Sequence, residues 1–350
     1  MQSGRPYREE EPSPDGFPMT LDPAAFENYR RSPTGRTTLW RLFAGVIIVA
    51  IFWFGFTMAV LFGGSYSFFA TGAGDEGFGA ADPIQQFLGS SGGIFATLIT
   101  FAGIWIGLWI AMRFLHKERL AKLYGNSARL SGSSMLRGFA AVVITSLVTE
   151  IGYLAVMPEI TRGTVAIGTW LLLIVPLAAF AFVQTSAEEI LFRGYLQRGL
   201  AYRFRSPLAW AVVPTILFTA LHWSPTSPLA MNIGVMVAIG AFSALLALLV
   251  YATGNLGAAM GAHLGNNLVG FALISHEDTL GGLALLRGAS LDSLAWTPGE
   301  TALIAGLSIV SILLTWLLLL HPRSPLRVTP DLGHPSGQPV PAIGVQTLTP

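Results

Sequence analysis

Residues 165–183 carry no ionisable side chain, and a run of that length and apolarity is the strongest constraint on what this chain can become. A helical segment of about 20 apolar residues matches the hydrocarbon thickness of a bilayer, and a helix satisfies its own backbone N–H and C=O groups there. Predominantly apolar runs, the fifth span's being short, occupy residues 42–62, 94–115, 138–157, 208–223, 231–251, 256–274 and 301–320. The expected fold is therefore all-α: a polytopic membrane protein with about eight transmembrane helices, residues 165–183 forming the fourth. Composition agrees, since only 11% of the 350 residues are charged, against roughly 25% in soluble domains. Cysteine is absent, which excludes disulfides, thiolate metal sites and cysteine nucleophiles.

Charge placement orients the spans. Of the 20 Lys and Arg residues, Arg162 and Arg287 fall in expected outer loops; the other 18 lie in or beside segments on the opposite side. Basic loops stay in the cytoplasm, so both termini are expected there, in an integral membrane protein of the bacterial plasma membrane, with the endoplasmic reticulum as second choice. Residues 1–37 hold Pro6, Pro12, Pro14, Pro18, Pro23 and Pro33 and read as a disordered cytoplasmic tail, the first span acting as an uncleaved insertion signal. Residues 38–137 comprise two spans and a basic loop, 138–274 the catalytic membrane core, 275–320 an outer loop and the last span, and 321–350 a second disordered tail. Residues 194–205 interleave Arg198, Arg203 and Arg205 with aromatic and aliphatic side chains and suit an amphipathic helix on the cytoplasmic leaflet. Nothing in this pattern calls for a nucleic acid; the bilayer is the partner it requires.

The chemistry concentrates at Glu188, Glu189 and Arg193, directly after the charge-free run. Ionisable groups at such depth are costly and need partners. Glu189 and Arg193 are spaced i,i+4 with the acid first, the favourable order for a helical ion pair. Glu188 has no cation on its face. By themselves these charges read equally well as a helix end snorkelling into headgroups. His222 closes the fifth run, four residues after Phe218, while His263 and Asn267 share an i,i+4 face in the seventh, beside Gly257, Gly261 and Gly265, which let a neighbouring helix approach. Each histidine alone is simplest as a helix-to-helix hydrogen bond. Together with Glu188, the set supplies a carboxylate, two imidazoles and a carboxamide, enough to activate water and bind an oxyanion. Glu188, His222 and His263 would also suit zinc, although the compact HExxH helix is missing. Glu150, near the outer end of the third span, suits snorkelling or helix packing.

The ordered set Glu188-Glu189-x-x-x-Arg193, Phe218-x-x-x-His222 and His263-x-x-x-Asn267 resembles the CPBP family of intramembrane proteases, which includes CaaX prenyl endopeptidases of the Rce1 type and bacterial Abi and bacteriocin-immunity proteins. Leu191-Phe192-Arg193-Gly194 continues the first motif as that family does, and the resemblance covers residues 165–274. It implies an active site among the fourth, fifth and seventh helices. Glu188 would activate water, His222 would orient that water and handle protons, and His263 with Asn267 would form the oxyanion hole. Glu189 with Arg193, and Phe218, would support them. No cofactor is implied, with zinc as the alternative, and the substrate would be a membrane protein or a lipidated peptide, such as a prenylated CaaX protein. A catalytically silent scaffold or immunity protein of the same fold is the competing class.

Two geometric expectations follow. A water-using site in a bilayer needs a hydrated cavity, expected to open to the cytoplasm. At ~1.5 Å per residue, Glu188 and His263 would lie roughly 10 Å below the cytoplasmic surface but His222 some 20 Å deep, so convergence would need residues 203–208 to be helical outside the hydrocarbon.

Overall fold

The computed structural model describes residues 23–72, 83–156, 160–276 and 280–333. It is a bundle of antiparallel helices in which apolar runs become helices and the polar turns between them collect at two ends. A short α1 (Pro23–Tyr29) precedes the long α2 (Leu39–Ala70). After α3 (Pro83–Gly89), the helices α4 (Ser91–Ile99) and α5 (Ala102–Ile110) join a π-helical turn, Ala111–His116, into one crossing. Next come α6 (Gly132–Val156), then α7 (Ile167–Glu189), which runs on through a π-helical turn, Ile190–Gln197, into α8 (Arg198–Arg203). A π-helical turn, Leu208–Val212, leads into α9 (Val213–Ala220), followed by α10 (Leu229–Thr253) and α11 (Gly257–Leu268), which ends in a further π-helical turn, Val269–Leu273. The last helix, α12 (Pro298–Leu320), starts at a capping box in which the Thr297 hydroxyl accepts from the Glu300 N–H and the Glu300 carboxylate accepts from the Thr297 N–H.

Among the described residues, six helices are long and apolar enough to cross a membrane, not eight. The expected fifth and seventh spans exist but are short, at 208–220 and 257–273. The seventh is glycine-rich and buried against the longer helices, so it does not need the full length of a lipid-facing span, whereas the fifth is apolar and buries Trp210, Pro214 and Phe218. Residues 204–206 are not helical; Phe204 is extended, at φ −121° and ψ 137°, and the expected cytoplasmic extension of the fifth span is absent.

One end of the bundle carries the loops poor in basic residues. Three two-residue strands join there: β1 (Thr161–Arg162) pairs antiparallel with β3 (Leu286–Arg287), which pairs in parallel with β2 (Ile274–Ser275). At the same end Asp292 accepts hydrogen bonds from the hydroxyls of Ser224, Thr226 and Ser227, tying the turn after α9 to the loop before α12.

The other, basic end is closed by segments expected to be disordered. In α1, Ala25, Phe26 and Tyr29 are buried, with Phe26 packed between Trp210 and Tyr251. Arg198 donates to the carbonyls of Tyr29 and Arg31, both at 2.8 Å, and pairs with Glu118 at 3.5 Å. This residue is therefore a buried tie, and residues 194–199 lie inside the protein rather than on a leaflet. Residues 321–333 fold back over the same end: the Val328 N–H donates to Leu319 O, and Arg137 donates to Arg327 O at 2.8 Å. The Asp331 carboxylate accepts from the Ser127 N–H, the Ser127 hydroxyl and Asn255 Nδ2. Asn126 Nδ2 donates to both Ala25 O and Asp331 O, at 2.7 and 2.6 Å, joining the N-terminal and C-terminal segments. The reason for the misreading is that these links bury backbone and polar side chains, which apolar periodicity does not register. Residues 1–22 and 334–350, the remainder of both tails, lie outside the described residues.

The helix pair that carries the seventh span is packed through glycine. A Cβ on Gly261 would stand 1.9 Å from the Met135 carbonyl oxygen, and one on Gly138 would stand 2.2 Å from Ala258 O. At Gly254, which caps α10 with φ +61°, a side chain would also meet Ala25 O at 2.6 Å.

Gly261→Ala should therefore push α11 off α6 and destabilise the protein by about 1–3 kcal/mol or more, read as a lower Tm in detergent. Burial by itself would raise the Asp331 carboxyl, but its hydrogen bonds from Asn255, Ser127 and Gly333 hold it below the usual carboxylate range. The tie is thus fully present above the unfolded value of about 3.9 and lost as pH falls through the lower folded value. Asp331→Asn should speed hydrogen exchange at the residue 331 amide at neutral pH, whereas the wild-type amide, corrected for intrinsic rate, should lose protection only under strongly acidic conditions.

Candidate active site

The carboxylates sit where α7 passes into its π-helical turn, and local hydrogen bonding prepares the polar stretch around them. Thr185 and Ser186 return their hydroxyls to the carbonyls of Ala181 and Phe182, at 3.0 and 2.5 Å, so neither competes for the acids. Glu188, Glu189, Arg193 and His263 are all buried. Arg193 donates to Glu189 Oε1 at 3.0 Å and, from its other nitrogen, to the Ser243 hydroxyl at 2.8 Å on α10. Its guanidinium also stacks 4.6 Å from the centre of the Phe218 ring. The same Glu189 oxygen lies 2.8 Å from His263 Nδ1, so one carboxylate joins α7 to α11 while satisfying the arginine.

His263 Nδ1–H donates to Glu189, which turns Nε2 towards Glu188 Oε2, 3.4 Å away. That Glu188 oxygen makes no hydrogen bond to the protein. Its partner oxygen accepts from Gln184 Nε2 at 3.5 Å, Gln184 Oε1 accepts from Asn267 Nδ2 at 3.1 Å, and Asn267 Oδ1 accepts from Asn266 at 3.2 Å. A relay of carboxamides thus ends on Glu188. His222 donates Nδ1–H to Phe218 O at 2.8 Å, leaving Nε2 as a lone pair. Phe218 touches both histidine rings, at 4.7 Å to His222 and 5.8 Å to His263, and spaces them.

All four expected catalytic residues and Phe218 line one cavity of about 510 Å³; Glu189 and Arg193 stand behind it. Gln184, Asn266 and Ser243 were not singled out in the sequence. Gln184 had a legible signal, four residues before Glu188 on the same helix; Ser243 is a lone hydroxyl in an apolar helix and had none. Glu150 lies in the cavity wall, with a buried oxygen that has no hydrogen-bond partner, rather than snorkelling to the lipid surface.

The depth mismatch resolves without any extension of the fifth span. Because α7 continues to Arg203, Glu188 lies about 22 Å along the helix from that basic end, and His222 lies about 21 Å from Leu208, at 1.5 Å per residue. The charged residues after 183 are inside the helix, not beyond its end. The cavity also runs the other way from expectation. Its wall includes Tyr153, Ser275, His276, Leu291 and Thr301, all towards the end that carries the small sheet. No residue of 23–37, 117–131, 193–207 or 321–333 contributes to it.

Residues 168–269 match the family described as "Type II CAAX prenyl endopeptidase Rce1-like". A Bacillus subtilis (strain 168) protein described as "Uncharacterized protein YyaK" is 23% identical over 300 residues, covering 81% of this chain and 95% of its own length. No solved structure matches the chain. The matched segment begins in the first turn of α7 and ends just past Asn267, so it holds Glu188, Glu189, Arg193, Phe218, His222, His263 and Asn267 together. The membrane core, residues 168–269, thus matches the Rce1-like family of CPBP proteins, a family of CAAX-type intramembrane proteases.

Proposed function

We propose that this chain is an intramembrane endopeptidase that hydrolyses a peptide bond in a membrane-associated protein or peptide, with water activated by Glu188. The observation that carries the reading is the division of labour between adjacent acids. Each acid has one oxygen without a hydrogen bond to the protein, but Glu189 stands behind the cavity with its other oxygen shared between Arg193 and His263, whereas Glu188 lines the cavity. A carboxylate left free beside a space large enough for water and a peptide is suited to general-base chemistry.

In this mechanism Glu188 takes a proton from water as the oxygen attacks the carbonyl carbon. His222 Nε2, freed by the Nδ1–H bond to Phe218, orients that water. Negative charge gathers on the former carbonyl oxygen, where the second N–H of Asn267 and, with a proton on Nε2 as well as Nδ1, the His263 ring stabilise it. The intermediate collapses with cleavage of the C–N bond, and the leaving nitrogen takes the proton held by Glu188. The carboxamide relay from Asn266 through Gln184 keeps Asn267 and Glu188 in register.

The test compares new peptide termini in membranes expressing wild type and Glu188→Gln. The variant keeps shape and removes the base, so termini specific to wild type should fall by about 10²–10⁴-fold, and wild-type activity should survive a zinc chelator. Identical profiles at equal expression would favour a silent scaffold or immunity protein. Glu189→Gln should behave differently, because it strands Arg193 in the core. It should cost about 3–5 kcal/mol of stability and lower the Tm, whereas Glu188→Gln should leave the Tm nearly unchanged.

A further inference from the structure

We infer that the cavity receives its substrate from the end of the bundle opposite the basic loops, and that the bond cut is an internal one in an extracytoplasmic segment. The assignment of the cut rests on the endopeptidase reading; the direction of entry does not.

Three observations converge on it. The basic end is sealed: α1, the 117–131 loop and residues 321–333 are bonded to one another through Asn126, Asp331, Arg198 and Asn255. Polar groups satisfied in this way are expensive to separate, and none of these segments reaches the cavity. The cavity instead climbs from Glu188 along α6, α10 and α12 to Tyr153, His276 and Leu291, the level of the small sheet and Asp292. That end bears Arg162 and Arg287, while the other 16 basic residues among the described ones fall at or towards the sealed end, which the bias of basic charge assigns to the cytoplasm.

The lining also specifies what enters. Among the described lining residues Glu150 and Glu188 are the acids, and there is no Lys or Arg. A free C-terminal carboxylate would meet the rings of His222, His263 and His276 but no permanent cation among them, and would be repelled by Glu188. An extended internal segment, neutral or basic, carries no such penalty. A cytoplasmic protein cut next to its own C-terminus is therefore a poor fit, and a membrane-anchored polypeptide cut within its extracytoplasmic portion is a good one.

The absence of cysteine makes a direct test simple. Ser308→Cys and Ser146→Cys place a near-isosteric thiol in the cavity wall; Leu294→Cys, 88% exposed beside Asp292, and Ser206→Cys, in the turn after α8, report the two ends. Each full-length variant is expressed in bacteria and treated with a membrane-impermeant maleimide, on spheroplasts and on inverted vesicles. Both cavity thiols should follow Leu294→Cys, labelling at least tenfold faster in spheroplasts, with Ser206→Cys labelled in inverted vesicles. Cavity thiols that follow Ser206→Cys overturn the entry side, as do cavity thiols that stay unlabelled on both faces while Leu294→Cys reacts. Reversal of the two end markers overturns the orientation. Termini lost in Glu188→Gln should map to extracytoplasmic segments away from C-terminal ends. Termini beside cytoplasmic C-termini overturn the substrate assignment, and the absence of Glu188-dependent termini overturns the endopeptidase reading with it. The labelling decides the entry side in either case.

Discussion

The buried guanidinium of Arg193 is the constraint on which the membrane core depends. A permanent positive charge at 2% exposure among membrane helices is tolerable only when each N–H finds an acceptor and the charge finds an opposite one. Glu189 meets the second need, Ser243 helps to meet the first, and Phe218 supplies a π face. These contacts reach from α7 to α9 and α10. His263, bonded to the same Glu189 oxygen, brings in α11. Four helices are thus held in register by one ion pair and its hydrogen bonds, and Glu188 is left over, held in place but not neutralised.

Close helix packing supplies what that network cannot. Hydrophobic burial does not drive helices together inside lipid, so approach depends on small residues and on polar bonds. Gly261 and Gly138 let α6 and α11 touch backbone to backbone, which fixes the height of His263 and Asn267 against the carboxylates. On the other side α10 and α12 stand away from α11, and the space between them is the cavity. The site therefore combines a rigid wall, where charges are paired, with an open one, where water and a peptide have room. The two ends differ in the same way: polar loop segments stitch the basic end together away from the cavity, and the cavity extends towards the other, where short strands and hydroxyl bonds to Asp292 hold the loops.

Much of this was legible in the residues before any coordinates. Apolar runs marked the crossing segments because backbone satisfaction in lipid admits few structures. Glu189 and Arg193 declared their pairing by i,i+4 spacing, and His263 and Asn267 declared a shared face in the same way. Gln184 could have been found by that rule. The errors have a common cause. Treating residue 183 as the end of the fourth span, because charge begins there, put Glu188 near a surface; α7 runs on to Arg203 because its charges are paired inside protein rather than exposed to lipid. Proline-rich segments read as disordered for lack of apolar periodicity, yet residues 23–37 and 321–333 are held by hydrogen bonds between segments far apart in the chain.

By itself, the sequence determined that the chain is a helical bundle with membrane-crossing segments, which polar groups stand out within it, and which family its core resembles, since these depend on local composition and spacing. Only the tertiary structure decided that Glu189 also meets His263 and stands behind the cavity that Glu188 lines, that Glu150 faces this cavity, and that the cavity leads away from the basic end. Those are questions of which groups from distant segments meet. Spacing along one helix cannot answer them, because the partner that neutralises a charge, or the gap that leaves it free, is provided by other helices.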